Sequence, residues 1–449
     1  MIRGVCFAFV LSIVHAYAWG PHAEITQAAL DALGTNDLLI RHLGAQAQRL
    51  TNYAWMADYR RLPFEEPDEL FYADDYLIFP DATTHLDHIC PEVKRTYRPY
   101  FRRALQALRT ETPRNAARWI GSLLHFVEDT GSPPHAAEIR GALHTKMETW
   151  VDAKQIQIRG YQPRLMGTND EQALDGFLKR MDEIIAFSKE RAKRMRLNTE
   201  IGNRKAVEPV VLESALETSR LTADLLHTLG AISGKPMTNV GVLRGLITSS
   251  APVGMERFPT KIIVDGTSYS TLAGSGGAFE FRNLPSGRYK LIALRAGNGP
   301  ATTEVDVREG QTNQCRLVLS DQSSNLIRNG DFAIRWKEKF APDCWDFWQG
   351  TWNGEIIPLK SGQKYRLTAK FKPDADAEVV LRWTRHLPHA LPRTATAPMF
   401  QTRKLTPDES THEFTASENF GLLQLSLKTS GKRPQELFEN VELRPLAKD

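Results

Sequence analysis

The first half of the chain carries apolar residues at helical spacing. Apolar positions three and four residues apart recur from Pro21 to about residue 231, with almost no alternating pattern between them. This spacing predicts a helix that begins near Pro21 and further helices over residues 36–50, 94–110, 114–130, 141–158, 171–198 and 208–231. We therefore expect this part of the chain to be all-α.

The pattern changes from helical to alternating within Ser233–Asn239. Gly-, Pro- and Ser-rich turns then separate short alternating segments, which lie at residues 243–248, 261–264, 278–281, 289–294, 303–307 and 316–319. A second all-β segment runs from Asn325 to Leu443. A chain of 449 residues exceeds what one core usually holds. The sequence predicts a multidomain protein with an all-α domain over 19–235 and two all-β sandwich modules over 236–321 and 322–449.

The N-terminus has the three parts of a secretory signal. Met1–Arg3 is positively charged, Gly4–Val14 is mostly apolar, and Ala16–Ala18 has the small-x-small form that signal peptidase cleaves after. The apolar run is too short to span a bilayer. We expect residues 1–18 to be a removed signal peptide, which makes the protein secreted, periplasmic or extracellular and Trp19 its first residue.

Charge and cysteine content add little to this predicted localisation. The net charge of +4 and the pI near 8.7 are mildly basic and do not select a class of partner. After signal removal three cysteines remain, and the one plausible disulfide joins Cys315 to Cys344. The basic run Ser188–Arg196 is interpreted as a solvated helix face.

Two histidine–carboxylate pairs carry the main chemical signal. His125 and Asp129 are four residues apart, as are His144 and Glu148, so each pair lies on one face of a helix, and His135 lies between the pairs. Such pairs also occur as surface salt bridges. However, the helix before His125 is largely apolar, so this face is expected beside a core, where imidazoles and carboxylates need partners. Zinc is the commonest partner for this ligand mixture.

Further candidate ligands lie outside these helices. Seven of the twelve histidines fall between residues 22 and 144, and a long acidic loop precedes the central helices. A free amine on Trp19 and the side chain of His22 could chelate one ion, although His22 could equally be a helix-capping residue. Nine groups suit about three zinc ions if one carboxylate bridges. They are Trp19, His22, Asp58, His85, His125, Asp129, His135, His144 and Glu148.

The chain resembles the bacterial zinc-dependent phospholipase C family, which shares its fold with the fungal single-strand-specific zinc nucleases. The resemblance lies in residues 124–137, 143–152 and 57–59, together with Trp19. The similarity covers about residues 19–231. It implies a first zinc held by Asp58, His85, His125 and Asp129. A second would be held by His135, His144 and Glu148. A third would be held by the amine and carbonyl of Trp19, by His22 and by Asp129 as the bridge. His88 is a rival to His85, which is preferred because Asp87 follows it closely.

The resemblance implies a trinuclear zinc site that hydrolyses phosphodiesters. Three dications facing three carboxylates leave an excess of positive charge, which favours a phosphodiester anion. Asp58 is the expected proton acceptor for the attacking water, and Tyr59 is expected to shape the substrate pocket. The expected activity is that of a secreted phospholipase C-like enzyme acting on phospholipid with only peripheral membrane contact. Alternatives are a single-strand nuclease or nucleotidase, and a zinc-stabilised glycan-binding protein without catalysis.

The two β modules also show resemblances. Gly276–Leu291 resembles the prealbumin-like carboxypeptidase regulatory-like domain, an accessory sandwich. Asn325–Phe332, Ser361–Thr368 and Glu439–Leu443 resemble galactose-binding-like jelly rolls, which implies a possible glycan surface. An aromatic group here is either a sugar-stacking platform or core, and consists of Trp345, Phe347, Trp348 and Trp352.

Overall fold

The structure is a computed structural model. It describes residues 21–54, 88–234, 237–249, 260–267, 269–274, 276–295, 298–319, 325–333, 342, 345–348, 351–384, 400–417 and 421–446. The predicted signal peptide, Trp19 and the segment 55–87, which contains Asp58, Tyr59 and His85, lie outside the described residues.

The helical domain is built around one buried helix. Its helices are α1 (His22–Leu33), α2 (Leu38–Leu43), α3 (Leu50–Tyr53), α4 (Lys94–Thr110), α5 (Pro113–Gly131), α6 (Pro133–Ala136), α7 (Ala142–Thr149), α8 (Asp170–Glu200) and α9 (Arg204–Ser233). Short 3₁₀ turns cover Gly44–Arg49 and Ala153–Gln155. Every residue of α5 from Asn115 to Gly131 is buried, as expected for a helix enclosed on all sides. This central helix carries His125 and Asp129.

Helix α5 begins and packs for identifiable local reasons. The Thr112 side chain accepts a hydrogen bond from the Asn115 N–H, and Pro113 occupies the first turn, where its missing N–H costs nothing. Gly121 lets α3 approach closely, because a Cβ at this position would lie 2.2 Å from Cβ of Tyr53. The close approach brings the end of α3, including Ala54, against the turn of α5 that carries His125.

Two predicted helices end earlier than expected. The helix predicted over 36–50 is divided, because Gly44 has a φ of 56° and ends α2. The helix predicted over 141–158 stops at Thr149. Beyond it the chain turns so that Ile156 and Ile158 are buried in the helical core, 4% and 6% exposed.

In the residues that the structure describes, the first β module is a sandwich of seven strands. They are β1 (Val240–Ser249), β2 (Lys261–Val264), β3 (Ser270–Leu272), β4 (Ala278–Pro285), β5 (Gly287–Leu294), β6 (Ala301–Val307) and β7 (Thr312–Leu319). One sheet has the order β4-β1-β7 and the other β3-β2-β5-β6. Strand β1 is antiparallel to β4 and parallel to β7. Leu243, Phe281 and Leu317 from one sheet share a core with Ile262 and Leu291 from the other.

The second β module is also a two-sheet sandwich. Its elements are β8 (Trp345–Trp348), β9 (Thr351–Pro358), β10 (Lys364–Phe371), β11 (Glu378–Thr384), β12 (Phe400–Leu405), β13 (Thr411–Thr415), β14 (Leu422–Lys428), α10 (Pro434–Leu437) and β15 (Phe438–Pro445). The sheet orders are β13-β10-β15 and β12-β11-β14-β9-β8. Leu367 of one sheet and Leu381 of the other belong to the same core. The predicted fold class, an all-α domain followed by two all-β sandwich modules, is confirmed.

Two of the four aromatic residues considered for a sugar platform are core residues. Trp345 is 1% exposed and Trp352 is fully buried. Each indole N–H donates to a backbone carbonyl, that of Trp345 to Asn329 at 3.0 Å and that of Trp352 to Lys432 at 2.9 Å. The stacking platform is therefore wrong for this pair, because both indoles face inward between the sheets. The side chains of Phe347 and Trp348 lie outside the described part of the chain.

The proposed disulfide is not formed at Cys315, which is a free thiol. Its Sγ points at the strand β1, where a Cβ on Gly245 would lie 2.9 Å from it. Burial raises the pKa of this thiol to about 11. None of the helices within the described ranges is long and apolar enough to cross a membrane.

The helical domain and the first β module share a polar contact, here called the module contact. Glu111, just after α4, forms a backbone bridge with Phe281 of β4, and the Arg282 guanidinium donates to the Glu111 carbonyl. From α4, Arg103 donates to the Ser270 carbonyl at 2.8 Å. Leu272 of β3 packs into the core of the helical domain. The module is therefore attached by backbone, side-chain and apolar contacts together.

A buried ion pair lies inside the module contact. Nη2 of Arg103 is 2.5 Å from Oε1 of Glu111, and both side chains are fully buried. The Arg103 guanidinium also lies 4.2 Å from the ring centroid of Trp119. Next to it, Asn115 donates to the Leu272 carbonyl at 3.2 Å. These polar groups of the helical domain are thus satisfied partly by the β module.

Candidate metal centre

One group of ligands, here the N-terminal cluster, is formed by His22, His125 and Asp129. His22 is the first residue of α1, and the other two come from successive turns of α5. Nε2 of His22 lies 3.3 Å from Oδ1 of Asp129, and Nε2 of His125 lies 3.0 Å from Oδ2 of the same carboxylate. All three side chains are at most 1% exposed. Their ligand atoms lie within 4.8 Å of one another, which suits a single ion.

Hydrogen bonds on the far side of each ring fix the direction of these histidines. His125 Nδ1 is 2.7 Å from the Ala54 carbonyl, so it carries the proton and Nε2 keeps a lone pair facing Asp129. His22 Nδ1 is 2.7 Å from Oε2 of Glu128, so its Nε2 is likewise directed at Asp129. Glu128 in turn accepts a hydrogen bond from the Thr26 hydroxyl at 2.6 Å. Both imidazoles are therefore held in the tautomer that a metal ligand requires.

A second group, here the C-terminal cluster, is formed by His135, His144 and Glu148. Oε1 of Glu148 is 2.7 Å from Nε2 of His135 and 3.1 Å from Nε2 of His144. His144 and Glu148 lie one turn apart on α7, and His135 belongs to α6. The Ile139 carbonyl accepts from Nδ1 of His144 at 2.8 Å, which again leaves Nε2 for the centre.

His88 connects the two clusters. Its Nδ1 lies 2.8 Å from Oδ2 of Asp129 and 2.9 Å from Nε2 of His125. Its carbonyl is the acceptor for Nδ1 of His135, which itself lies 3.9 Å from Oδ2 of Asp129. Among the described residues, Asp129 therefore faces four histidines, and the two clusters form one continuous centre.

The electrostatics of this centre favour bound positive charge. Burial opposes the protonation of His135, but the Asp129 and Glu148 carboxylates outweigh it and raise its pKa to about 9. Burial likewise opposes charge on His22, and Asp129 and Glu128 raise its pKa well above the usual range. The pKa of Asp129 lies well below its usual range despite burial, because His125 and His135 stabilise its charge. Protons or metal ions must therefore balance these buried carboxylates.

The donors present fit zinc. Imidazole nitrogens and carboxylate oxygens in buried groups of three are its usual ligands, with further positions left for water or substrate. Oε2 of Glu148 is buried, and within the described residues it accepts no hydrogen bond. A buried carboxylate oxygen without a hydrogen bond, at the edge of a group of ligands, is available to bind a metal ion.

The structure brings together six of the nine ligands predicted from sequence, in the two clusters described above. The other three, Trp19, Asp58 and His85, and the pocket residue Tyr59 lie outside the described residues. Sequence reasoning did not identify Glu128 and Thr26 as part of the centre. The available signal was weak: His22 and Thr26 are one helical turn apart, and Glu128 is an acidic residue on an otherwise buried helix.

No protein-family model matches the chain. Two curated phospholipases C of Bacillus cereus are 25% identical to it over 177 residues, which is 36% of this chain and 61% of theirs. The chain thus spans about three fifths of the length of the curated relatives it matches.

Among solved structures, the alpha-toxin of Clostridium perfringens is 14% identical, covers 67% of this chain and 96% of its own, and has a TM-score of 0.33. The alpha-toxin of Clostridium absonum is 13% identical, covers 68% and 98%, and has a TM-score of 0.35. Scores of this size do not establish a common fold. In sequence, the helical domain of this chain is similar to phospholipases C.

Proposed function

We propose that this protein is a secreted zinc-dependent hydrolase of phosphodiester bonds, of phospholipase C type. The observation that supports this best is the buried, continuous centre in which Asp129 faces His22, His88 and His125 and adjoins the C-terminal cluster. The sequence similarity of the helical domain to phospholipases C supports the same class of reaction.

Three zinc ions would be held by this chain. The first would take Asp58, His125, Asp129 and either His85 or His88, of which we favour His88 because its ring already lies beside Asp129 and His125. The second would take the C-terminal cluster of His135, His144 and Glu148. The third would take His22 and Asp129 together with the amine and carbonyl of Trp19, which only signal cleavage would expose.

Zinc bound here would supply positive charge to the phosphodiester oxygens and would acidify an attacking water. The protein residues do the rest. The Nδ1 atoms of His125 and His144 lie against the backbone carbonyls of Ala54 and Ile139, so each ring can present the lone pair of its Nε2 to an ion. Asp58 would accept the proton of the attacking water, and Tyr59 would line the substrate pocket.

The two β modules would serve as accessory domains. We propose that they contact surfaces, either glycans or the periphery of a membrane, while the helical domain carries the chemistry. The burial of Trp345 and Trp352 removes one candidate glycan platform. We therefore propose that the modules attach the protein to a surface, without assigning a sugar.

Zinc analysis of the protein secreted with its own signal, followed by release assays, tests the enzyme proposal. We expect about three zinc ions per chain and release of phosphocholine from phosphatidylcholine vesicles, with loss of both after exhaustive chelation and recovery on adding zinc. Cleavage of single-stranded DNA without lipid hydrolysis would instead assign the nuclease alternative. Bound zinc without either activity would favour a zinc-stabilised binding protein. Fewer than about two ions per chain would overturn the catalytic proposal.

A further inference from the structure

Glu128 is a fully buried carboxylate directly beside the candidate ligand Asp129. Its two oxygens are both engaged: Oε2 lies 2.7 Å from Nδ1 of His22, and Oε1 accepts from the Thr26 hydroxyl at 2.6 Å. His22 and Thr26 are four residues apart on α1, so one face of that helix contacts this carboxylate at two positions.

Burying a carboxylate away from water is costly, so Glu128 calls for an explanation. It is not part of either group of converging ligand atoms, because both of its oxygens face α1. The two groups that hold it, the His22 imidazole and the Thr26 hydroxyl, both belong to α1. Of these two groups, His22 is the one that also faces Asp129, so Glu128 is placed to act on a candidate ligand.

We propose that Glu128 is a positioning residue that presents His22 to the third metal ion. Glu128 would accept the Nδ1 proton of His22, fix the ring orientation and leave the lone pair of Nε2 directed at Asp129, 3.3 Å away. Thr26 would fix the carboxylate itself. This inference rests on the proposed zinc centre.

Glu128 differs in charge from the groups that accept the Nδ1 protons of two other histidine ligands. His125 and His144 direct their Nδ1 protons to the neutral carbonyls of Ala54 and Ile139. His22 alone among these three uses a charged acceptor. A carboxylate acceptor makes an imidazole a stronger ligand than a carbonyl does. Glu128 would therefore strengthen the site to which α1 contributes His22.

The test compares zinc affinities of folded variants by competition with a chromophoric chelator. Glu128→Gln keeps the size and an acceptor oxygen but loses the charge, whereas Glu128→Ala loses both. We expect one class of zinc site to weaken about 10-fold in the first and up to about 100-fold in the second, with the remaining sites unchanged. Thr26→Val should give a smaller loss at the same site. Glu138→Gln is the matched control, because that side chain is 53% exposed and pairs with Lys189 on the surface.

A second readout separates positioning from a merely structural role. The thermal unfolding midpoint of each variant is measured in excess chelator and in excess zinc. We expect Glu128→Gln to gain less from zinc than the wild type, because the loss of the charge weakens the metal-bound state more than the metal-free state. An unchanged zinc affinity in a folded Glu128→Gln variant, or a lower midpoint only in chelator, would overturn the inference.

The failure of the proposed function is distinguishable from the failure of this inference. Zinc binding without phosphodiester hydrolysis in the wild type would overturn the enzyme proposal. The zinc affinities of the variants would still decide the role of Glu128. A wild-type protein that binds no zinc would overturn both.

Discussion

Nδ1 of His88 lies 2.8 Å from Oδ2 of Asp129, the carboxylate that faces four histidines in this structure. His88 also places its backbone carbonyl against His135. A residue that contacts both clusters through side chain and backbone is well placed to hold the centre together. The sequence alone favoured His85, three positions earlier, for the same ligand role.

Replacing His88 should therefore cost more metal than replacing His85. We expect His88→Ala to lose at least one zinc ion at equilibrium, because its imidazole lies beside Asp129 and His125, whereas His85→Ala should retain more. Metal analysis after dialysis against a fixed free zinc concentration measures the difference. A larger loss of zinc in His85→Ala than in His88→Ala would instead assign the ligand role to His85.

Asp129→Asn should cost more metal than any other single ligand replacement. The amide cannot carry the negative charge that offsets the neighbouring ions, and its NH₂ group faces imidazole nitrogens. We expect the loss of two ions in metal analysis together with activity below detection. Asp182→Asn is the control, since Asp182 is 69% exposed and pairs with Lys94 on the surface. Equal zinc content in the two variants would argue against a bridging role.

Gly121→Ala should disturb both packing and the metal centre. A Cβ at this position meets Tyr53 at 2.2 Å, including contact with its backbone, so α3 has to move away from α5. We expect a loss of about 1–3 kcal/mol in the free energy of unfolding from overpacking. Because Ala54 follows Tyr53 and its carbonyl holds His125, zinc affinity should fall as well. Gly276→Ala, where a Cβ meets open space, should change neither quantity.

The buried pair in the module contact should behave asymmetrically on mutation. Burial raises the pKa of Glu111 to about 6 even though Arg103 beside it acts in the opposite direction, so desolvation outweighs the attraction. Arg103→Met leaves an unpaired buried carboxylate and should cost about 3–5 kcal/mol of unfolding free energy. The double variant Arg103→Met, Glu111→Leu should recover most of that loss. Denaturant unfolding of Arg103→Met, Glu111→Leu and the double variant tests this coupling. Losses in the two single variants that add up to the loss in the double variant would contradict it.

The architecture was largely predictable because its signals are local. Helical spacing located the long helices α4, α5, α8 and α9, and alternation located most strands of the first β module. The error at residues 141–158 has a tertiary cause, since Ile156 and Ile158 turn into a core that local spacing does not reveal.

The candidate centre was predictable only where its ligands share a helix. His125 with Asp129 and His144 with Glu148 are pairs one turn apart, which spacing alone can find. The contact between His22 and Glu128 joins residues 106 positions apart, so it depends on how α1 packs on α5. The sequence left open whether Trp345 and Trp352 form a sugar platform or core, because only the pairing of the sheets determines which way these side chains face, and the structure places both in the core.

The backbone bridge between Glu111 and Phe281 has a consequence for how the protein unfolds. Cutting the chain after α9 would leave Arg103 and Asn115 without their acceptors on β3 and would strip Leu272 from the helical core. The change from helix to strand near residue 235 therefore does not mark an energetic boundary. The helical domain and the first β module should melt in a single cooperative transition, and a fragment that ends at the last helix should be less stable than the same helices in the intact chain.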